Sequence, residues 1–459
     1  MLVVMHRMST LAKNIARLLP LAVVPALLAA ASPAQADPVS DAYAFIKNQR
    51  RPLTIKRQVK GYPVQSYQAP SSDPLYDKCF TYDQAVAVMA LVANPSPTAP
   101  GPTQERLDYA KGILDAMAAV QVSDGSWNTV YACSTGAVAL EWKREVGPTA
   151  WVAMAIKKYQ QAKNDFSLYE TNFKNAVNWI SKLQNMQSTS MANTADCNSF
   201  STRTFNDGGV QHGQCKSGAS YKVEGWAGTE INQEAFILFK KYGERYPTET
   251  LPLGVAGGLT GTARANLMWS TSNTGFLAVD VFAPGQARFL TGRNDVTHHT
   301  DVNPLGVMTR IGSGRSFPSG LTDADLLAST VSDHVTTETG TVNGVSQTIT
   351  GCDYEGDDMG TAGLDDVWFE GVGQMTLAFY LSGDAMNGDF YRTASEQGQW
   401  GAGACNGAAN CGGIQYSLKG TNNGYWTMTT APAISPTGFY LMALDAAYHP
   451  ANPFNPYGL

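Results

Sequence analysis

Asp83 to Ala93 reads DQAVAVMALVA, apolar on most sides, as a helix buried all round must be. A Pro-rich loop from Asn94 to Pro102 follows. Gln104 to Gln121 (QERLDYAKGILDAMAAVQ) then carries its charges on one face, the pattern of a half-exposed helix. The pair recurs. Thr149 to Lys163 is mostly apolar, and Tyr169 to Gln187 is amphipathic and contains Trp179. Further apolar helices are expected at Glu230 to Tyr242, Gly371 to Ser382 and Pro436 to Tyr448. Alternation of a buried helix with a half-exposed one is the pattern of stacked helical hairpins. Period-two alternation is confined to Thr341 to Thr350 (TVNGVSQTIT), which reads as a β-hairpin.

GPTAWVAMA from Gly147 and SPTGFYLMA from Ser435 look like two copies of one helix start, with Pro in the first turn. In a closed double ring the inner helices are buried on every side and the outer ones are amphipathic. The alternation here, the Gln121-to-Trp127 turn (QVSDGSW) and the acidic or Gly/Pro starts of the inner helices resemble the six-hairpin (α/α) toroid glycosidase-like superfamily. The resemblance covers roughly residues 76 to 449 in pattern, not in a long diagnostic motif. It implies an all-α (α/α)6 toroid with long loops. The same turn also looks like repeats of the terpene-cyclase toroids, so the chemistry must be argued from the site.

Around this core the chain divides simply. Met1 to Ala36 reads as a secretory signal: Arg7, Lys13 and Arg17, then an apolar run from Leu18 to Ala31, then the Ala34-Gln35-Ala36 cleavage site. Residues 37–74 read as a polar, irregular N-terminal arm, and 75–459 as one toroid domain. An exported protein, periplasmic or extracellular, is expected, with no membrane span and as a monomer. The seven cysteines agree with export. Cys197–Cys215 and Cys405–Cys411 are candidate loop staples, Cys79–Cys133 a longer link, and Cys352 is left over; spacing does not fix the connectivity. Lys plus Arg is 32 against 38 Asp plus Glu, a net charge of -6, which excludes nucleic acid as the main partner.

Four acidic residues stand at or just before the expected buried helices: Asp83, Glu145, Glu230 and Glu370. Inner helices of a toroid run parallel, so these carboxylates would converge on one face. Glycoside hydrolysis needs two of them, an acid for the leaving oxygen and a base or nucleophile opposite. Trp226 and Gly228 precede Glu230, and Trp368 and Phe369 precede Glu370. Aromatic surface raises a carboxyl pKa, which suits a general acid. Glu230 and Glu370 are therefore the expected acid/base pair, with Glu145 and Asp83 in reserve. The competing explanation is helix capping and the macrodipole, which favour acids at helix starts whatever the function.

Loop tryptophans Trp127, Trp142, Trp226, Trp368 and Trp426 are candidate sugar platforms, against the alternative of anchoring loops to the core. Asp124, at the tip of the QVSDGSW turn, reads as a turn residue. Asp353, Glu355, Asp357, Asp358, Asp365 and Asp366 place six carboxylates in 14 residues. The readings are a solvated acidic loop, a calcium site at Asp353, Glu355, Asp357 and Asp358, or a contribution from Asp365 or Asp366 to the site, with Asp366 the expected substrate contact. No C-x-x-C or H-E-x-x-H occurs, and no nucleotide-binding glycine motif stands at a strand-to-helix turn, so no other metal or cofactor is expected.

The expected function is an exported glycoside hydrolase acting on a polysaccharide or oligosaccharide. A polysaccharide lyase on the same fold would instead use His212 with Arg203 or His299 with Arg293. A non-catalytic glycan-binding envelope protein would use the tryptophans alone.

Overall fold

The computed structural model describes residues 37–99, 101–140, 143–184, 208–217, 220–224, 226–252, 258–270, 275–293, 295, 297–356, 365–401, 412–422 and 427–459. The signal-like segment, Trp142, Trp426, Asp357, Asp358, Cys197, Arg203, Cys405 and Cys411 lie outside the described residues.

Six helices form an inner ring: α2 (Thr81–Val92), α4 (Val146–Lys163), α6 (Thr229–Arg245), α8 (Val302–Ser313), α10 (Phe369–Ser382) and α12 (Ile434–Tyr448). Each packs on the next, and α12 packs back on α2. Outside them lie α3 (Gln104–Val120), α5 (Glu170–Lys182), α7 (Gly261–Met268), α9 (Asp323–His334) and α11 (Ala385–Gln397). Each packs on the inner helix that precedes it. The sixth outer helix is α1 (Pro38–Asn48), which packs on α12, so the first described helix closes against the last. The expected irregular arm is therefore corrected: its first part is a helix of the ring. Asp37 caps it, and Ala42, Phe45 and Ile46 are fully buried.

Burial follows the pattern in the sequence. From Thr81 to Val92 every described side chain but Tyr82 is buried, whereas α3 buries only seven of its 17 residues. The larger core cluster among the described residues runs through all six inner helices, and a smaller one gathers Tyr354, Trp368, Tyr416, Met428 and Ala433. The Thr341–Thr350 hairpin is present and longer than expected, pairing Val335–Val342 with Val345–Cys352. Asn343 and Gly344 turn it, both with positive φ (51° and 79°), as a type I′ turn requires. The Cys79–Cys133 disulfide is present, and Cys352 is a buried free thiol.

One repeated hydrogen bond ties the ring at its mouth. The backbone N–H at or just before each inner helix start donates to a carbonyl in the segment leading to the next inner helix. The pairs are Thr81 to Thr129 (2.9 Å), Val146 to His212 (2.8 Å), Thr229 to Thr291 (2.8 Å), Thr300 to Tyr354 (3.0 Å), Phe369 to Tyr416 (3.0 Å) and Ile434 to Ser66 (2.9 Å). All six helix starts therefore lie on one rim. The bonds also satisfy N–H groups that a helix start otherwise leaves without partners.

Candidate active site

Outer helices α1, α3, α7, α9 and α11 carry ordinary side-chain caps, from Asp37, Thr103, Thr260, Thr322 and Asp384. None of the six inner helices has one. Side-chain capping therefore does not account for Glu145, while the macrodipole still favours acids in the first turns of the others. Asp83, Glu230 and Glu370 sit in the first turns of α2, α6 and α10, and Glu145 precedes α4. The ring brings the four predicted carboxyls to one rim.

It adds two that the sequence reading missed. Asp301 stands just before α8, and Glu234 lies one turn below Glu230. Glu234 is completely buried, and Trp151 Nε1 donates to its Oε1.

A cavity of about 830 Å³ opens over the starts of α2, α4, α10 and α12. Asp83, Glu145, Glu370 and Ser435 bring polar groups to it; Tyr67, Phe80, Tyr82 and Tyr416 supply aromatic surface. Lys143 adds a cation beside Glu145, at 3.6 Å. A volume in this range suits a small-molecule ligand or part of a chain. The aromatic walls are tyrosine and phenylalanine, where tryptophan was expected. Tyr82 and Tyr416 could have been suspected, since one precedes Asp83 and the other lies two residues beyond the Gly413-Ile414 segment that leads towards α12.

The carboxyls of the cavity differ in electrostatics. Burial pushes Glu370 up to about 7, although hydrogen bonds from Tyr82 and Ser435 oppose the shift. The Tyr82 hydroxyl donates to Glu370 Oε1 at 2.7 Å. Burial also raises Asp83, to about 8, against a hydrogen bond from Ser66 and with help from Glu370. Glu145 goes the other way. Burial alone would raise it, but His212, Lys143 and Thr129 outweigh burial and hold it at about 2. His212 Nε2 lies 3.3 Å from Glu145 Oε1. Glu230 is half-buried and raised well above the usual carboxylate range by desolvation, with Asp301, Glu234, Glu370 and Glu145 as like charges. Asp301 is raised to about 7, chiefly by burial.

Glu230 does not line the described cavity. Asp301 and Glu234 act on it as like charges, and Glu145 rather than Glu230 lines the cavity with Glu370. Trp226 is half-buried beside His212, with ring centroids 5.0 Å apart. Trp368 is 3% exposed and packs edge-on to Tyr354 at 5.0 Å, in one cluster with Tyr416 and Met428; it does not line the described cavity, so the expected sugar platform there is corrected.

Two further expected substrate contacts are corrected. Trp127 is completely buried, and its Nε1 donates to Met117 O at 2.8 Å. It anchors the QVSDGSW turn to α3 and leaves no face for a sugar. Asp124 is a turn residue as read, accepting from the Ser126 N–H at 3.0 Å and pairing with Arg144 at 2.8 Å. Asp366 is completely buried, and its carboxyl accepts the backbone N–H groups of Lys419, Gly420 and Thr421 at 2.8 to 3.1 Å. It holds a loop and is closed to ligand. Asp353 Oδ1 likewise accepts from Tyr354 N at 2.7 Å and Asp366 N at 3.3 Å. Among the described residues no group of three or more His, Cys, Asp or Glu is placed to hold a metal ion. Of the proposed lyase pairs, Arg293 pairs with Asp280 at 3.1 Å, and His299 Nδ1 lies 3.1 Å from the Tyr354 hydroxyl.

No family profile and no curated protein matches the chain. Solved structures do. A glycosidase is 8% identical over 91% of this chain and 97% of its own, with a TM-score of 0.55. D-mannose isomerase is 12% identical over 90% and 96%, with a TM-score of 0.54. A family 76 glycoside hydrolase from a bovine Bacteroides thetaiotaomicron strain is 11% identical over 90% and 77%, also at 0.54. The fold is the (α/α)6 toroid. At these identities the likeness establishes the fold alone, and it includes both sugar-cleaving and sugar-isomerising proteins. Among the described residues no helix is long and apolar enough to cross a membrane.

Proposed function

We propose that the protein is an exported glycoside hydrolase whose acid and base are Glu370 and Glu145. The observation that carries this reading is the split between two carboxyls of one cavity. Glu370 is raised to about 7 and holds its proton near neutrality; Glu145 is held at about 2 and is ionised. Carboxyls pushed apart in this way are suited to opposite roles. Glu370 gives its proton to the glycosidic oxygen as the bond to the anomeric carbon breaks. Glu145 takes a proton from the attacking water or attacks the anomeric carbon itself, according to the separation set by the bound sugar. Tyr67, Phe80, Tyr82 and Tyr416 offer flat apolar faces to the C–H side of a pyranose ring. Asp301, outside the wall, adds a like charge that disfavours ionisation of Glu370.

The export part of the reading rests on the signal-like segment and on a disulfide, which suits an oxidising compartment. A second reading, isomerisation or epimerisation by proton transfer at carbon, is favoured by His212 against Glu145, since the pair could move a proton without cleaving a glycosidic bond. Uronate elimination is supported less. The described basic groups nearest the cavity, Lys143 and His212, are both engaged by Glu145 rather than aimed at a substrate carboxylate.

The test is a panel of polysaccharides and oligosaccharides with the mature chain. New reducing ends support hydrolysis. A sugar of unchanged mass but new configuration supports isomerisation. Products absorbing in the ultraviolet support elimination, and binding without any product supports a glycan-binding role.

A further inference from the structure

The ring has a second end. After α12 the chain turns back beneath the helices. Phe454 N donates to Asp445 Oδ1 at 3.0 Å, and Asn455 Nδ2 to Met308 O at 2.9 Å. Lys158 Nζ donates to Gly458 O at 2.8 Å. A Cβ on Gly312 would come within 2.5 Å of Tyr457 O, so only glycine lets the tail pass there. Lys158, Met308, Gly312 and Asp445 all lie in the later halves of inner helices, opposite the carboxyl rim.

The tail does more than cover this end. Tyr457 is completely buried, and its ring centroid lies 5.9 Å from that of Trp151, near the start of α4. The side chain therefore reaches up the ring from the far end. Among the described residues its hydroxyl has no hydrogen-bond partner, and Glu234, Glu230 and Asp301 all act on it electrostatically. Trp151 is the next link. It donates to Glu234, meets Phe439 at 5.8 Å, and stands edge-on to Tyr82 at 5.1 Å. Tyr82 donates to Glu370. A continuous line of contacts thus joins the C-terminal tail to the proposed acid.

We propose that Tyr457 is a positioning residue: the C-terminal tail is an axial plug that seals the closed end of the ring and, through Trp151, fixes Tyr82 against Glu370. Residues that close a site to water and hold its first contacts affect the chemistry without touching the substrate. The plug is independent of which saccharide is bound. Its effect on turnover rests on the hydrolase reading; its effect on Glu370 does not.

The experiment uses the full mature chain with Tyr457→Phe and Tyr457→Leu. Phe keeps the ring; Leu keeps an apolar side chain but removes the ring. Folding of both is checked by circular dichroism and thermal melting. The Glu370 carboxyl is followed by carbon NMR on protein labelled at glutamate side chains, with its signal assigned by E370Q. Around it stand Tyr82 and Asp83 of α2, Glu230 of α6, Asp301 before α8, Gln374 on its own helix and Ser435 of α12, so each variant is compared with wild type under the same ions and pH. Y457F is expected to titrate as wild type. Folded Y457L is expected to titrate about one unit higher, as in Tyr82→Phe, because the Tyr82 hydrogen bond that favours the ionised carboxyl loosens. On a saccharide that wild type turns over, Y457L should lose about tenfold or more in kcat with KM within about twofold, and Y457F should rescue it. An unmoved Glu370 titration in folded Y457L overturns the plug, whatever the activity. A moved titration with no turnover in wild type sustains the plug and removes the hydrolase reading.

Discussion

The Tyr82 hydroxyl donates to Glu370 Oε1 at 2.7 Å although the two residues are 288 positions apart. The bond joins the first and fifth inner helices across the mouth, and it stabilises the ionised form of Glu370 against the larger effect of burial. Tyr82→Phe should therefore raise the Glu370 pKa further. Since the acid must be protonated, the alkaline limb of kcat/KM should move to higher pH, while the rate at the optimum falls with the loss of orientation. A pH–rate profile of Y82F checks the sign.

His212 acts in the opposite sense on the partner carboxyl. With Lys143 and Thr129 it overcomes the burial that would raise Glu145. His212→Ala should let the Glu145 pKa rise, and the acid limb of the same profile should move to higher pH. If His212 is instead the proton carrier of an isomerase, H212A should abolish turnover at every pH.

Stability should depend on pH through the buried acids. Asp83 at about 8 and Asp301 and Glu370 at about 7 keep their protons in the folded chain long after the unfolded chain has lost them near pH 4. The folded state then binds more protons between about pH 4 and 8, so stability falls as pH rises through that window and levels off above it. Glu145 contributes with the other sign, but only below its unfolded value, as pH drops from about 4.5 towards 2. Melting temperature should be higher near pH 5 than near pH 8. Asp301→Asn should remove part of the difference and gain a few degrees at pH 8, on the order of 1–2 kcal/mol.

Trp127 offers a control for the cavity. It is buried and bonded to Met117 O, and it does not line the described cavity. Trp127→Ala should cost about 3–5 kcal/mol of stability, read by denaturant unfolding. The protein that remains folded should bind saccharide as wild type does. A selective loss of binding would restore Trp127 to the site.

How far the sequence could be read depended on the strength of each local pattern. The helices α2, α10 and α12 are apolar almost throughout and stood out. Helix α8 did not, because Asn303, Pro304, Gly306, Arg310 and Gly312 interrupt its apolar run. With it went Asp301, whose place before α8 has meaning only once that helix is seen. Helix α1 hid in a polar stretch, because its burial depends on α12, at the far end of the chain. The four acids were legible as helix starts. Their freedom from capping was not, since it comes from the backbone bonds that run between neighbouring hairpins. Loop position misled for Trp127 and Asp366, because sequence shows where a loop lies and not which way its side chains turn. The cavity tyrosines carried no signal beyond their closeness to Asp83 and to the last inner helix.

The most direct measurement compares wild type, Glu370→Gln and Glu145→Gln on the saccharide panel, with folding checked for each. The expected result is release of reducing ends by wild type, with both variants folded, still binding sugar, and slower by about a hundredfold or more. Wild-type rates in either folded variant, or binding without turnover in the wild-type chain itself, would contradict the assignment of Glu370 and Glu145 as acid and base.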